Sequence, residues 1–275
     1  MFRATFWGVR GSIPAPGPDT VETGGNTSCV ELRCGATCIV FDGGTGLRLL
    51  GNELAKQPPA PIHLFFSHVH WDHIQGFPFF APAFVAGTTI HMYGSAEVSG
   101  RVENALAGQM ETPNFPVKLW ALPARLVFRD LREGEVLDLP GGARVTCATG
   151  NHPGGVLAYR VDYEGRSFVY ATDTEHYAVP DPKLVKLARG ADVLVYDSMY
   201  TPEEYAGAAG PPKTGWGHST FEHGVALAKA AAVRKYVLFH HDPGQDDAAV
   251  REKERRARAL FAESVAAREG LTIDV

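Results

Sequence analysis

No stretch of this chain approaches the roughly 18 consecutive apolar residues that a membrane-spanning helix needs. The N-terminal Met1-Phe2-Arg3-Ala4-Thr5-Phe6-Trp7 has no apolar signal-peptide run either, so no membrane association and a cytoplasmic location are expected. Cysteine is scarce: Cys29, Cys34, Cys38 and Cys147 are the only four, and none forms a Cys-x-x-Cys pair. Three of them fall in strand-like sequence, which predicts reduced core thiols rather than a disulfide framework. Basic charge is also short, with 26 Lys and Arg against 31 Asp and Glu and a net charge of −5. Long nucleic acid is therefore not expected as the habitual partner, because such binding normally needs a basic face. No linker, repeat or low-complexity tract divides the chain, so one domain over residues 1–275 is expected. With 45% hydrophobic residues it has enough material for a full α/β core.

Histidine, by contrast, is concentrated. His68-Val69-His70-Trp71-Asp72-His73 holds three of the eleven His in six residues, where an even spread would place about a quarter of one. Imidazole nitrogen and carboxylate oxygen suit zinc and neighbouring divalent ions. Just upstream, the apolar run Ile62-His63-Leu64-Phe65-Phe66 predicts a buried strand. If extension continues past it, His68 and His70 project to one side, since side chains alternate with period two. Asp72 and His73 follow as the chain turns and face a neighbouring point. The spacing reads as two ligands for one ion and two for a second. A loose His-rich tract does not usually sit at the mouth of a buried strand.

His-x-His-x-Asp-His after a hydrophobic strand resembles the signature of the metallo-β-lactamase fold superfamily. The resemblance implies a four-layer αββα sandwich of the α/β (α+β) class and a dinuclear site completed by a later His, a bridging Asp and a last His. Matching residues follow in that order at strand ends: His152 after Ala143–Ala148, Asp173 after Ser167–Ala171, and His240 after Tyr236–Phe239. For the last position His240 competes with His241; the family pattern favours His240, with His241 pointing toward a carboxylate such as Asp242. The implied assignment gives His68, His70 and His152 to one ion and Asp72, His73 and His240 to the other, with Asp173 bridging. Zinc is the expected metal, manganese and iron being compatible with the same ligands.

The remaining sequence narrows the branch. Strands are expected over 2–8, 28–34 and 37–42, then a helix over Leu47–Leu54. Gly43-Gly44-Thr45-Gly46 reads as a tight strand-to-helix turn rather than a phosphate loop, since no Lys-Ser/Thr follows. Later strands are expected near 144–148, 156–163, 167–171, 193–196 and 236–240, with helices over about 220–233 and 246–269. The closing helix carries Arg251, Lys253, Arg255, Arg256 and Arg258, expected on a solvated face. Trp7-Gly8-Val9-Arg10-Gly11-Ser12-Ile13-Pro14 and Gly24-Gly25-Asn26-Thr27-Ser28 resemble the branch near ribonuclease Z and the phosphoribosyl cyclic phosphodiesterases. Gly217-His218-Ser219-Thr220, with Ser219 or Thr220 as helix cap, resembles a further element of that branch. It implies that His218 acts as general acid or holds the scissile phosphate.

The function implied is a metal-dependent hydrolase, most readily a phosphodiesterase in which His218 and Asp72 carry proton transfer and orientation of an activated water. Only twenty residues, 153–172, separate His152 from Asp173, where ribonuclease Z inserts its tRNA-gripping arm. That interval favours a small substrate such as a cyclic nucleotide or cyclic ribose phosphate. Lys213, Trp216 and Phe115 are candidate substrate contacts from two loop segments, 110–116 and 200–216, and Arg10 is a further candidate. The resemblance allows a homodimer. A hydrolase of a lactone, thioester or β-lactam, or a non-catalytic or redox member of the fold, are the alternatives.

Overall fold

A computed structural model describes residues 1–56, 61–98, 100–208 and 210–275. Its strands are β1 (Phe2–Gly8), β2 (Cys29–Cys34), β3 (Thr37–Phe41), β4 (Ile62–Phe65), β5 (Thr89–Gly94), β6 (Arg125–Asp130) and β7 (Val136–Asp138). The second set is β8 (Arg144–Gly150), β9 (Val156–Tyr163), β10 (Arg166–Ala171), β11 (Val193–Asp197), β12 (Lys235–Phe239), β13 (Ser264–Ala266) and β14 (Thr272–Asp274). Helices are α1 (Gly46–Leu54), α2 (Trp71–Ile74), α3 (Val102–Gln109), α4 (Pro182–Ala188), α5 (Pro202–Tyr205), α6 (Phe221–Ala230) and α7 (Asp247–Leu260).

The strands form two seven-stranded sheets, in the orders β14-β1-β2-β3-β4-β5-β6 and β13-β12-β11-β10-β9-β8-β7. Each sheet is antiparallel on one side and parallel on the other, running parallel from β3 to β6 and from β10 to β13. Residues alternate faces along each strand, so each sheet buries two apolar surfaces. Between the sheets Phe41 stacks on Tyr170 at 5.0 Å and on Phe168 at 6.0 Å. Outside the first sheet, Leu47, Leu50, Ile74 and Leu106 from α1, α2 and α3 cover Val40, Leu64 and Ile90. Outside the second, Leu184, Val225, Leu227 and Val250 from α4, α6 and α7 cover Val169, Leu194 and Leu238. This is the αββα sandwich. Each wholly buried Phe or Leu in it contributes roughly 1.5–3 kcal/mol of burial. All four cysteines are buried and free. Among the described residues no helix is long and apolar enough to cross a membrane.

Two expected elements change. The closing helix stops at Leu260, and the chain then adds β13 beside β12 and β14 beside β1. The buried Ser264 and Ala266 extend a sheet edge, which outweighs the helical charge pattern that runs on in sequence. The helix expected over 220–233 is shorter at both ends, with Thr220 as N-cap, its hydroxyl accepting from the His223 amide. Gly43, Gly44 and Gly46 form the expected turn, and their amides donate to the carbonyls of His73, Ser28 and Thr27.

Candidate metal centre

The parallel halves of both sheets send their C-terminal ends to one edge of the sandwich, where open α/β sheets place ligands. Asp42 follows β3, the His68–His73 segment follows β4, Asp173 follows β10, Asp197 ends β11 and His240 follows β12. β8, antiparallel to β9, delivers His152 to the same edge. Past β4 the chain bends at Ser67 and is extended again at His70, and α2 then carries Asp72 and His73 inward, both buried.

His68, His70 and His152 form one cluster, with ring centroids 4.4, 4.7 and 4.9 Å apart. Asp72, His73, Asp173 and His240 form a second. In it the Asp72 carboxylate lies 3.2 Å from His73 Nε2 and 3.1 Å from His240 Nε2. Asp173 stands between the clusters, 3.4 Å from His73 Nε2, 3.2 Å from His240 Nε2 and 3.7 Å from His68 Nε2. The structure thus brings together the seven residues named from the sequence. His241 leaves the cluster: its Nε2 donates to the Ala267 carbonyl, and Asp242 does not hold it.

Three of the imidazoles, those of His68, His73 and His152, are oriented from behind. The Asp42 carboxylate accepts from His73 Nδ1 at 2.8 Å, the Tyr170 hydroxyl at 2.7 Å and the Ser67 amide at 2.7 Å. Ser67 Oγ spends its proton on Asp42, so it accepts from His68 Nδ1 at 3.1 Å. His152 Nδ1 donates to the Gly217 carbonyl at 2.9 Å. With Nδ1 protonated in these three rings, Nε2 carries the lone pair; His70 instead turns its Nδ1 into the cluster, 3.1 Å from His152 Nε2, and His240 Nδ1 is buried without a hydrogen-bond partner. His68 Nε2 and His73 Nε2 are buried without a hydrogen-bond partner while facing Asp173. Buried polar nitrogens are rarely left so. Two buried carboxylates among imidazoles form the donor set that zinc, manganese and iron accept, so the residues fit a pair of divalent ions.

The backbone is strained at the same place. Ser12 (φ 64°), Asp42 (φ 60°), Asp173 (φ 51°) and His240 (φ 61°) are non-glycine residues in the left-handed region. Each costs of order 1–3 kcal/mol, and such strain gathers at functional sites. In that conformation the Ser12 amide donates to Asp72 Oδ2 at 2.8 Å.

His218 sits at the rim, its ring 5.0 Å from that of His240 and 5.3 Å from that of His152. Its Nδ1 bonds Asp197 Oδ2 at 2.8 Å, and Asp197 Oδ1 accepts from the Met199 and Ser219 amides. Burial opposes the imidazolium, but the Asp197 charge and hydrogen bond outweigh it and lift the pKa to about 9. A cavity of about 560 Å³ opens beside it, lined by Ser12, Met199, Tyr200, Trp216, His218 and Pro243 among others. Lys213 Nζ lies 4.1 Å from the Trp216 ring centroid and 5.7 Å from that of Tyr200. Tyr200, Gly215 and Trp216, from the two ends of the expected 200–216 segment, wall the cavity, and Lys213 packs on Trp216 without lining it.

Phe115 does not line that cavity; it packs edge-on against Phe79 in the outer helical layer. Arg10 is wholly buried, donating to the carbonyls of Gly24, Asp242 and Gln245, because its loop threads under the His240–Gln245 segment. It is a structural clamp. Lys253 is buried rather than solvated, its Nζ 2.7 Å from the Ser198 carbonyl. Asp42, Asp197 and Glu175 belong to no motif in the sequence. The first two carry a readable signal, an Asp that closes a buried apolar run, Cys38–Phe41 and Val193–Tyr196 respectively.

The family described as "Beta-lactamase superfamily domain" matches residues 37–241. Ribonuclease Z of Haloarcula marismortui is 27% identical over 217 residues, covering 76% of this chain but only 64% of its own length. Ribonuclease Z of Mycobacterium avium is 28% identical, covering 100% of this chain and 97% of its own. A solved structure described as a new diphosphatase from the PhnP family superposes with a TM-score of 0.73 at 18% identity. That superposition covers 100% of this chain and 98% of the other.

Proposed function

The chain belongs to the β-lactamase superfamily, and on that premise we propose that it is a hydrolase dependent on two divalent metal ions that cleaves small phosphodiesters. The observation that carries the reading is His218, held by Asp197 over the edge of the two His/Asp clusters and facing the cavity. A site for thioesters has less need of an imidazolium at that rim, because a thiolate leaves without a proton. The sequence relatives named Ribonuclease Z and the diphosphatase-like fold support the same class.

In this reading His68, His70 and His152 would hold one ion and Asp72, His73 and His240 the other, with Asp173, which stands between the two clusters, available to both. Zinc is the preferred metal, with manganese or iron as alternatives. Bound ions of this kind lower the pKa of a water and neutralise charge developing on the phosphoryl oxygens. Asp72, fixed by the Ser12 amide, orients the attacking water. His218 donates its Nε2 proton to the leaving oxygen, a contribution worth about 10²–10⁴-fold. Trp216 contacts the substrate from the cavity wall, with Lys213 held against its ring. The interval between His152 and Asp173 is the β9–β10 hairpin, and with the acidic net charge this favours a compact substrate such as a cyclic nucleotide or cyclic ribose phosphate.

The test is a panel of cyclic nucleotides, cyclic ribose phosphates, linear dinucleotides, a precursor tRNA, a lactone and bis-(p-nitrophenyl) phosphate with its monoester. The reading expects the small diesters to be cleaved with the highest kcat/KM. Preference for the lactone would overturn the bond class, and preference for the RNA would overturn the size.

A further inference from the structure

The loop that walls the cavity is tied down by one carboxylate. Glu175 lies two residues beyond Asp173 and is buried. Its Oε1 accepts from the Tyr205 hydroxyl at 2.6 Å and the Gly215 amide at 2.8 Å, and its Oε2 from the Gly217 amide at 2.9 Å. These donors bracket Lys213 and Trp216. Gly217 passes the restraint on: its amide donates to Glu175, and its carbonyl accepts the His152 Nδ1 proton. The fit there is close, since a Cβ on Gly217, at φ +84°, would lie 2.2 Å from His152 Nδ1. The backbone of Glu175 approaches His152 from the other side. Its amide donates to the Asn151 carbonyl at 2.7 Å, and its carbonyl accepts from Asn151 Nδ2 at 3.2 Å.

We propose that Glu175 is a positioning residue that fixes the 205–217 loop and, through the Gly217 carbonyl, the tautomer and orientation of His152. One carboxylate then sets both the cavity wall and the third imidazole of the first cluster. The link to His152 as a ligand rests on the metal-dependent reading above; the clamp on the loop does not. The donor count explains why an acid stands here. Three donors converge on two oxygens, and a glutamine would present an NH2 group to at least one of them.

Hydrogen–deuterium exchange on the full-length wild type, Glu175→Gln and Tyr205→Phe separates the two parts. Peptides spanning 205–217 should be protected in the wild type and exchange about tenfold faster in Glu175→Gln, the loss of a hydrogen bond of about 1.4 kcal/mol. Tyr205→Phe, which deletes one donor and keeps the carboxylate, should lie between them. Zinc affinity measured by chelator competition should fall about tenfold or more in Glu175→Gln, as for other outer-shell partners of ligating imidazoles. The absorption spectrum of the cobalt(II)-loaded protein should change, while Tm moves by no more than about 4 °C. Unchanged exchange in Glu175→Gln would overturn the clamp. Faster exchange with unaltered zinc affinity and cobalt spectrum would overturn the link to His152. A wild type that binds neither metal would refute the metal-dependent reading, and the exchange comparison would still decide the clamp.

Discussion

Replacing Lys253 with Met should stabilise this protein at neutral pH. The ammonium lies inside the fold, 1% exposed, with the Ser198 carbonyl at 2.7 Å and the Met199 carbonyl at 3.3 Å as its acceptors. Burial is the largest influence on it, only partly offset by Glu204 and Asp242, and its pKa falls from 10.5 to about 7. At about 1.4 kcal/mol per unit, this depression corresponds to a cost of roughly 5 kcal/mol in the fully protonated state and about 4 at pH 7. The sign follows from linkage. Between pH 7 and 10.5 the unfolded chain holds a proton that the folded chain has released, so this residue makes stability rise with pH across that window. Below pH 7 the full cost stays in place. Methionine removes the charge and refills the volume, but leaves the Ser198 carbonyl without its partner, at about 1–3 kcal/mol. The net expectation is a gain of about 1–3 kcal/mol at pH 7 that shrinks and reverses by pH 9.5. Urea unfolding of both proteins, in the same metal state, from pH 6.5 to 9.5 measures it. A variant less stable at pH 7, with a stability difference flat across the series, would refute the reasoning.

Other expectations concern the site. His218→Ala should lower phosphodiester turnover by about 10²–10⁴-fold and leave metal content unchanged, read by steady-state kinetics beside elemental analysis. Loss of metal would make His218 a ligand instead. Asp42→Asn should weaken metal binding by about 10–100-fold in chelator competition, because His73 then loses the carboxylate that fixes its Nδ1 proton. His240→Gln should lose metal while His241→Gln keeps it, since His241 faces the Ala267 carbonyl.

The fold and the inner site were legible for a local reason. The short apolar run Ile62–Phe66 and the strand-end positions of His152, Asp173 and His240 are visible in short windows. The orienting groups were not, because their partners are remote in sequence. Asp42 meets Tyr170 across 128 positions, and Asp197 meets His218 across 21. The charges around Lys253 predict a solvated side chain, yet Val250, Lys253 and Ala257 share one buried face of α7 at helical spacing. That periodicity would have placed it correctly. Arg10 gave no such signal, since its Gly-rich loop has no period. Phe115 illustrates the limit of loop composition: an aromatic in a Pro-rich segment packs inward as readily as it lines a cavity.

Phosphodiester hydrolysis by this arrangement of six histidines and two aspartates, read as two metal sites with His218 at the rim, requires both ions. That requirement is tested most directly by titrating the metal-free protein with zinc or manganese while following hydrolysis of bis-(p-nitrophenyl) phosphate. Activity should be absent without metal and level off at two equivalents per chain. A plateau at one equivalent, or hydrolysis that ignores the added metal, would contradict the account.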